Sequence, residues 1–384
     1  MRNLKQLSGF LLSAFLVPVT SFLSSPVAAQ SVASSASEVT LTALAHRAPQ
    51  ERTAGGSGTA TNGVVEVVPK IFTLGDIEPG SEHARTFLLK NISRQPVQVQ
   101  RSVTSCKCTT TSKIDGSTIP PGGTLEFEAV LAAPRTPGVK NAKVQIILEG
   151  GHRPLTMELE GDVTMAVKAM PAYIGGPRGE KNTGVVQLQA LDGKPFSIIS
   201  AGGEKPRYVG FNPKSDAPQS RYTLQWDVSK INDLSRHVWW VVYTDNPKCP
   251  VLPLRIRNEL TGSKADMGRF QRYWMFDENI VNAEQLAAGV GVDLDVVIKH
   301  YNPRGRNQVV RPEWRAVKSI RSLSPDVTVQ LLSTKVVSKD ETRVLFRVTP
   351  RRDFSGPLYG LVALETETGV GEFAVLAFVK NGQG

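Results

Sequence analysis

The sequence predicts an all-β protein: tandem immunoglobulin-like β-sandwiches, three in number, behind a signal peptide and a flexible leader. Short runs such as Phe87-Leu-Leu89, Val97-Gln-Val99 and Leu125-Glu-Phe127 alternate apolar and polar residues, the period of half-buried strands. Turn clusters part those runs, supplied by 33 Gly and 25 Pro. Landmarks also recur at one offset: Phe87 and Val186, Pro96 and Pro195, Leu125 and Leu224 all stand 99 positions apart. A unit of ~100 residues with about seven short strands has the size of an immunoglobulin-like sandwich.

Residues 1–29 read as a signal peptide. Arg2 and Lys5 precede an apolar run over residues 10–19, and Val27-Ala-Ala29 supplies the small residues of a cleavage site. Residues 30–62 are rich in Ser, Ala, Thr and Gly without a sustained apolar period, which predicts a flexible linker. The first sandwich is expected over 63–165, the second over 166–262 and the third over 263–384. The first two end in hairpin-like pairs of runs, Val144 to Leu148 with Leu155 to Leu159, and Val238 to Tyr243 with Leu252 to Ile256. In the third, Val292 to Ile298, Val327 to Leu331, Val344 to Val348 and Phe373 to Phe378 alternate in the same order. Between the second and third units, residues 279–288 form the best helical stretch. The pattern suggests beads on a string.

Within the first unit, Phe72-Thr-Leu-Gly75, Phe87-Leu-Leu-Lys-Asn91 and Pro96-Val97 lead to Ser105-Cys106-Lys107-Cys108-Thr109. Ile119-Pro-Pro-Gly-Gly123, Leu125-Glu-Phe127 and Val144-Gln-Ile146 follow. That order resembles the bacterial domain-of-unknown-function family 1573 over residues 64–163, an immunoglobulin-like sandwich akin to pilus-chaperone domains. The resemblance implies the fold and an exported setting but no catalytic function. The family motif is Cys-Gly-Cys; here Lys107 replaces the Gly.

Cys106 and Cys108 are the sharpest chemical feature and the candidate metal ligands. Residues two apart in a strand share a face, with side chains roughly 6–7 Å apart, too far for an unstrained disulfide. Two thiolates on one face can hold Cu(I) or Zn(II) if a turn and further ligands complete the site, and Lys107 beside them favours thiolate. The alternative is structural: one Cys buried, the other free or paired. Cys249, in the turn Asn246-Pro-Lys-Cys249-Pro250, reads as an exposed, unpaired thiol.

No catalytic constellation and no cofactor motif is visible. His46, His83, His152, His237 and His300 lie far apart in sequence, as surface or half-buried histidines do. Trp239-Trp240 and the aromatic run over 270–276 read chiefly as core, with glycan or peptide contact as the alternative. Asn91-Ile-Ser93 matches a glycosylation sequon. Loss of Arg2 and Lys5 with the signal takes the formal charge from +10 to +8, favouring acidic partners. No tract beyond the signal is long and apolar enough to span a membrane. These readings converge on an exported, non-enzymatic protein of the periplasm, cell envelope or extracellular space. Its expected partner is an envelope protein or polysaccharide rather than nucleic acid; the rival is a copper-, zinc- or thiol-redox protein acting through Cys106 and Cys108.

Overall fold

Alternating burial builds the first sandwich, as residues 82–91 show: Phe87 and Leu89 are buried in the core, while Lys90, between Leu89 and Asn91, faces water. The computed structural model describes residues 54–381 apart from 106–107, 176–181, 232–233, 235–236, 258–271 and 303–309. Its first eleven strands are β1 (Gly55–Ser57), β2 (Ala60–Thr61), β3 (Val65–Val68), β4 (Ile71–Ile77), β5 (Glu82–Asn91), β6 (Val97–Thr104), β7 (Thr109–Thr111), β8 (Thr118–Ile119), β9 (Thr124–Ala132), β10 (Gly138–Leu148) and β11 (Leu155–Val163). They form one sheet ordered β2-β3-β5-β9-β7 and another ordered β1-β4-β11-β10-β6-β8. Both sheets contribute to one buried cluster, with Phe87, Leu89, Phe127 and Leu131 from the first and Val144, Ile146, Met157 and Leu159 from the second. Phe87 and Phe127 sit directly opposite each other across β5 and β9, with rings stacked at 5.3 Å. Such cross-strand aromatic pairs help to hold register.

The second sandwich contains β12 (Val167–Met170), β13 (Tyr173–Gly175), β14 (Thr183–Ala190), β15 (Ile198–Ala201), β16 (Arg221–Asp227), β17 (Trp239–Thr244) and β18 (Val251–Arg257). Its sheets run β12-β14-β16 and β13-β18-β17-β15. The third contains β19 (Trp274–Phe276), β20 (Ile280–Ala287), β21 (Val292–His300), β22 (Val317–Ser322), β23 (Val327–Ser338), β24 (Glu341–Pro350), β25 (Gly356–Thr366) and β26 (Gly369–Lys380). Its sheets run β19-β21-β24-β23 and β20-β26-β25-β22.

All three share one topology. The chain enters in one sheet as β3, β12 or β19, then crosses to the other as β4, β13 or β20. There it pairs in parallel with the last strand of the same sandwich, β11, β18 or β26. The first two crossings pass through Pro69 and Pro171, each after a cis bond. The 99-residue landmarks fall on corresponding strands: Phe87 and Val186 on β5 and β14, Leu125 and Leu224 on β9 and β16.

Three features differ from the sequence reading. The end of the expected flexible linker is built into sandwich 1: β1 pairs antiparallel with β4, and β2 with β3. The small residues of the Gly-rich segment let it lie close against β4, where a Cβ on Gly56 would come within 2.7 Å of Pro69. Residues 280–287 are a strand rather than a helix, because parallel pairing with β26 and burial of Ile280, Val281 and Leu286 override local preference.

The sandwiches are also not separate beads. Every residue of β17 is buried. Trp240 and Val242 point into the core of sandwich 2. Trp239, Val241 and Tyr243 point the other way and form a distinct apolar cluster with Ile280, Ala374 and Leu376 of sandwich 3. Arg255 lays its guanidinium over the Trp239 ring, 5.2 Å from its centre. Each large side chain buried in such a face contributes roughly 1.5–3 kcal/mol, so sandwiches 2 and 3 pack sheet on sheet. Sandwich 1 joins them through polar contacts: Lys168 Nζ lies 2.7 Å from Asp76 Oδ1, and Glu278 Oε1 accepts from the Arg135 backbone N–H at 2.7 Å.

Candidate functional site

The Cys-x-Cys corner links the two sheets of sandwich 1. β6 ends at Thr104 and β7 begins at Thr109. Before the corner, the Ser105 N–H donates to the Lys143 carbonyl at 2.8 Å, and Ser105 Oγ accepts from the Lys143 N–H at 2.9 Å, tying the chain to β10. After it, the Cys108 carbonyl accepts from the Ala132 N–H at 2.8 Å, at the end of β9 in the opposite sheet. Cys108 is half-buried against the sandwich 1 core and is disulfide-bonded. The in-strand spacing that parts the two sulfurs does not describe Cys108, which lies in a turn between β6 and β7. Cys106 and Lys107 lie outside the described residues. Among the described residues, no group of three or more His, Cys, Asp or Glu converges as a metal site would require.

Cys249 does occupy a turn, with its N–H donating to the Asn246 carbonyl at 3.1 Å, but it is not exposed. It is fully buried in the core of sandwich 2 as a free thiol. Burial pushes its pKa up to about 12, so it stays protonated and unreactive. Thr244 Oγ1 closes the turn by donating to the Cys249 carbonyl at 2.5 Å.

The described histidines remain apart. His83 Nε2 meets Ser81 Oγ at 2.8 Å, and His237 stacks on Tyr359 at 5.3 Å. His300 departs from the expected surface or half-buried class: it is buried beside Thr342 Oγ1 at 3.1 Å. His46 lies outside the described residues. The sequon at Asn91 is closed to modification, because its buried amide donates to the carbonyls of both Gln95 and Ile119. Of the aromatics, Trp274 and Phe276 fill the core of sandwich 3, Trp240 that of sandwich 2, and Trp239 the contact between them.

A cleft of about 180 Å³ opens on sandwich 2 beside Trp240, lined by Glu204, Arg207, Gln225, Asp227 and Lys230. Gly202 makes room for the Trp240 ring: its φ is +61°, and a Cβ there would fall 2.0 Å from Trp240 Nε1. The walls carry the cations Lys205, Arg207 and Lys230 and the carboxylates Glu204 and Asp227. Arg207 lies 3.0 Å from Glu204 and 3.8 Å from Asp227, while Lys230 lies 3.4 Å from Glu204. Hydrogen bonds from Ser229, aided by Arg207 and Lys230, lower the Asp227 pKa. The lining contains no Ser, Cys or His. Such a surface offers directed donors and acceptors at the edge of the buried Trp240 ring.

Residues 65–163 match the family model DUF1573, a protein family of unknown function. The resemblance expected from the sequence therefore holds over sandwich 1. This chain is similar to a PapD-like domain of human CEP192, at 16% identity over 26% of this chain and 84% of that one, with a TM-score of 0.22. It is also similar to SSP-19 of Caenorhabditis elegans, described as an MSP-domain protein like family member, at 15% identity over 26% and 97% of the two chains, with a TM-score of 0.20. A protein of unknown function from Porphyromonas gingivalis W83 aligns with 82% of this chain and all of its own, at 10% identity and a TM-score of 0.24. No curated protein matches.

Sequence reasoning missed the cleft and the contact between sandwiches 2 and 3. The cleft left no motif, since its residues come from separate segments. The contact did leave a signal: Val238 to Tyr243 is an unbroken apolar run, the mark of a strand covered on both faces.

Proposed function

We propose that this chain is an exported, non-enzymatic binding protein of the cell envelope, which contacts an envelope protein or an acidic polysaccharide. Sandwiches 2 and 3 supply a rigid support; the cleft beside Trp240 and the open sheet edges make the contacts. The observation that carries this reading is the cross-paired charge of Glu204, Arg207, Asp227 and Lys230 around one cleft. Carboxylates and cations committed to one another suit recognition better than bond cleavage. The positive balance favours an acidic partner, and edge strands can accept a partner's strand.

Two measurements test it. Fractionation of expressing cells should place the chain outside the cytoplasm and without its first residues; an intact cytoplasmic chain contradicts export. Co-sedimentation with purified acidic envelope polysaccharide should weaken severalfold in Arg207→Glu, Lys230→Glu. Undiminished binding removes the cleft from the proposal, and turnover of the polysaccharide contradicts the non-enzymatic reading.

The second reading, a copper-, zinc- or thiol-redox protein acting through Cys106 and Cys108, is favoured by one observation. Cys108 is disulfide-bonded at a half-exposed corner, whereas Cys249 is sealed in a core. A redox role predicts reversible reduction at that corner with the fold intact. A metal role predicts about one Cu(I) or Zn(II) per reduced chain or dimer, lost in Cys106→Ser, Cys108→Ser. If reduction merely destabilises sandwich 1 and no metal binds, the corner is structural.

A further inference from the structure

One end of sandwich 3 gathers exposed apolar residues, aromatic rings and lysines. Val336 and Val337 are 59% and 49% exposed at the end of β23, and Val370 is 48% exposed at the start of β26. Neighbouring strand residues point to opposite faces. The exposure of both valines therefore makes this end of the β23–β24 hairpin a protruding apolar tip. Lys335 and Lys339 flank the tip, and neither pairs with a carboxylate among the described residues.

Tyr273 and Trp314 lie beside it with ring centres 5.1 Å apart, and the Arg311 guanidinium stands 5.2 Å from the Trp314 ring centre. Three contacts place these groups at the same end. Arg315 Nη1 donates to the Ser338 carbonyl at 2.9 Å. The His300 N–H donates to the Asp340 carbonyl at 2.7 Å, and the Tyr301 N–H to the Tyr273 carbonyl at 3.0 Å. The turn before Val370 joins them through the Thr368 hydroxyl, which donates to the Arg272 carbonyl. Most local carboxylates are engaged: Glu313 with Arg311 at 3.9 Å, Glu367 with Lys318 at 3.0 Å, and Asp340 with Ser338 Oγ at 3.0 Å. Glu341 also stands here, at the start of β24.

We propose that this end of sandwich 3 docks on an anionic lipid bilayer. The valines would enter the acyl boundary, Tyr273 and Trp314 would lie at headgroup depth, and Lys335 and Lys339 would meet lipid phosphates. Each part matches what an interfacial surface needs: a small apolar insertion, amphipathic rings and cations on long stems. The tip exposes valines on both faces of β23, which suits insertion into a bilayer better than seating a peptide, which needs a groove or a strand edge of matching chemistry. Lysines beside the exposed edge oppose pairing with a second copy. The inference goes beyond the envelope-binding reading and does not depend on the cleft beside Trp240.

The test is co-sedimentation of the chain, as recovered from cells, with phosphatidylcholine vesicles containing or lacking phosphatidylglycerol. Binding should require phosphatidylglycerol and fall as salt rises. Val336→Asp, Val337→Asp and, separately, Lys335→Glu, Lys339→Glu should each weaken it by roughly tenfold or more. Val139→Asp, at a site 64% exposed on sandwich 1, should leave it unchanged. Circular dichroism of each variant separates lost binding from lost folding; if the valine pair fails to fold, the lysine pair decides. Failure to bind anionic vesicles overturns the proposal, as does equal binding by the tip variants. So does self-association abolished by the tip variants without vesicle binding, which assigns the tip to a second copy. Polysaccharide binding through the cleft can survive any of these results.

Discussion

Tyr243 of β17 donates its hydroxyl hydrogen to the Leu358 carbonyl of β25 at 2.7 Å, away from water. The bond crosses from sandwich 2 to sandwich 3 within the apolar cluster formed by Trp239, Val241, Ile280 and Leu376. Burial raises the Tyr243 pKa, so the hydroxyl remains a donor across the ordinary pH range.

Tyr243→Phe should cost about 1–2 kcal/mol by deleting that donor within a buried contact. Leu376→Asp should cost more, because it places a charge in the apolar face. Sandwiches 2 and 3 are expected to unfold together in the native chain and in separate steps in Leu376→Asp. Urea titration followed by tryptophan fluorescence checks both outcomes; an unchanged transition in Leu376→Asp contradicts their coupling.

His300 makes sandwich 3 acid-sensitive. Burial, reinforced by nearby Arg315 and opposed by Asp340, lowers its pKa from 6.5 to about 4. Its neutral form is favoured by folding, so its contribution is complete above the unfolded value and lost as pH falls from about 6.5 towards 4. The loss should reach up to about 3 kcal/mol. His300→Gln should flatten that part of a stability profile measured between pH 7 and 4, and an equally steep profile in the variant would assign the effect elsewhere.

Cys249 should resist maleimide in the folded protein and react on unfolding, because it is buried and its pKa lies near 12. Mass spectrometry of labelled protein reads this directly. Fast native labelling contradicts the buried site. Cys249→Ser should cost about 1–3 kcal/mol by placing a hydroxyl in an apolar core.

Glu278 fastens sandwich 1 to sandwich 3 by accepting from the Arg135 N–H at 2.7 Å. Glu278→Ala should speed amide exchange at Arg135 severalfold while leaving the cores of both sandwiches protected. Exchange read by mass spectrometry over peptides spanning 130–138 gives the result, and unchanged protection there contradicts the contact.

Strand alternation and the recurring 99-residue offset made the sandwiches legible, because side chains on a pleated strand face core and solvent in turn. Phe87 and Leu125 mark strands by that rule in a short window of sequence, as do Val186 and Leu224. Residues 280–287 were not legible by it. Their local pattern admits a helix, and a distant strand, β26, settled the matter by pairing in parallel. Cys249 shows the same limit: a proline-flanked turn predicts exposure from neighbours alone, whereas the core around it comes from remote segments.

The sequence by itself determined the all-β class, the family likeness of sandwich 1 and the repeated order of strands, since these depend on periodicities and motifs carried by contiguous residues. Tertiary structure alone decided that Tyr243 reaches Leu358, that Glu204, Arg207, Asp227 and Lys230 share a cleft, and that Val336 protrudes beside Trp314. Those relationships join residues that lie far apart in the chain or turn on which faces packing leaves exposed. Packing whole sheets fixes such relationships, because burial of one face determines what the opposite face and the strand ends can meet.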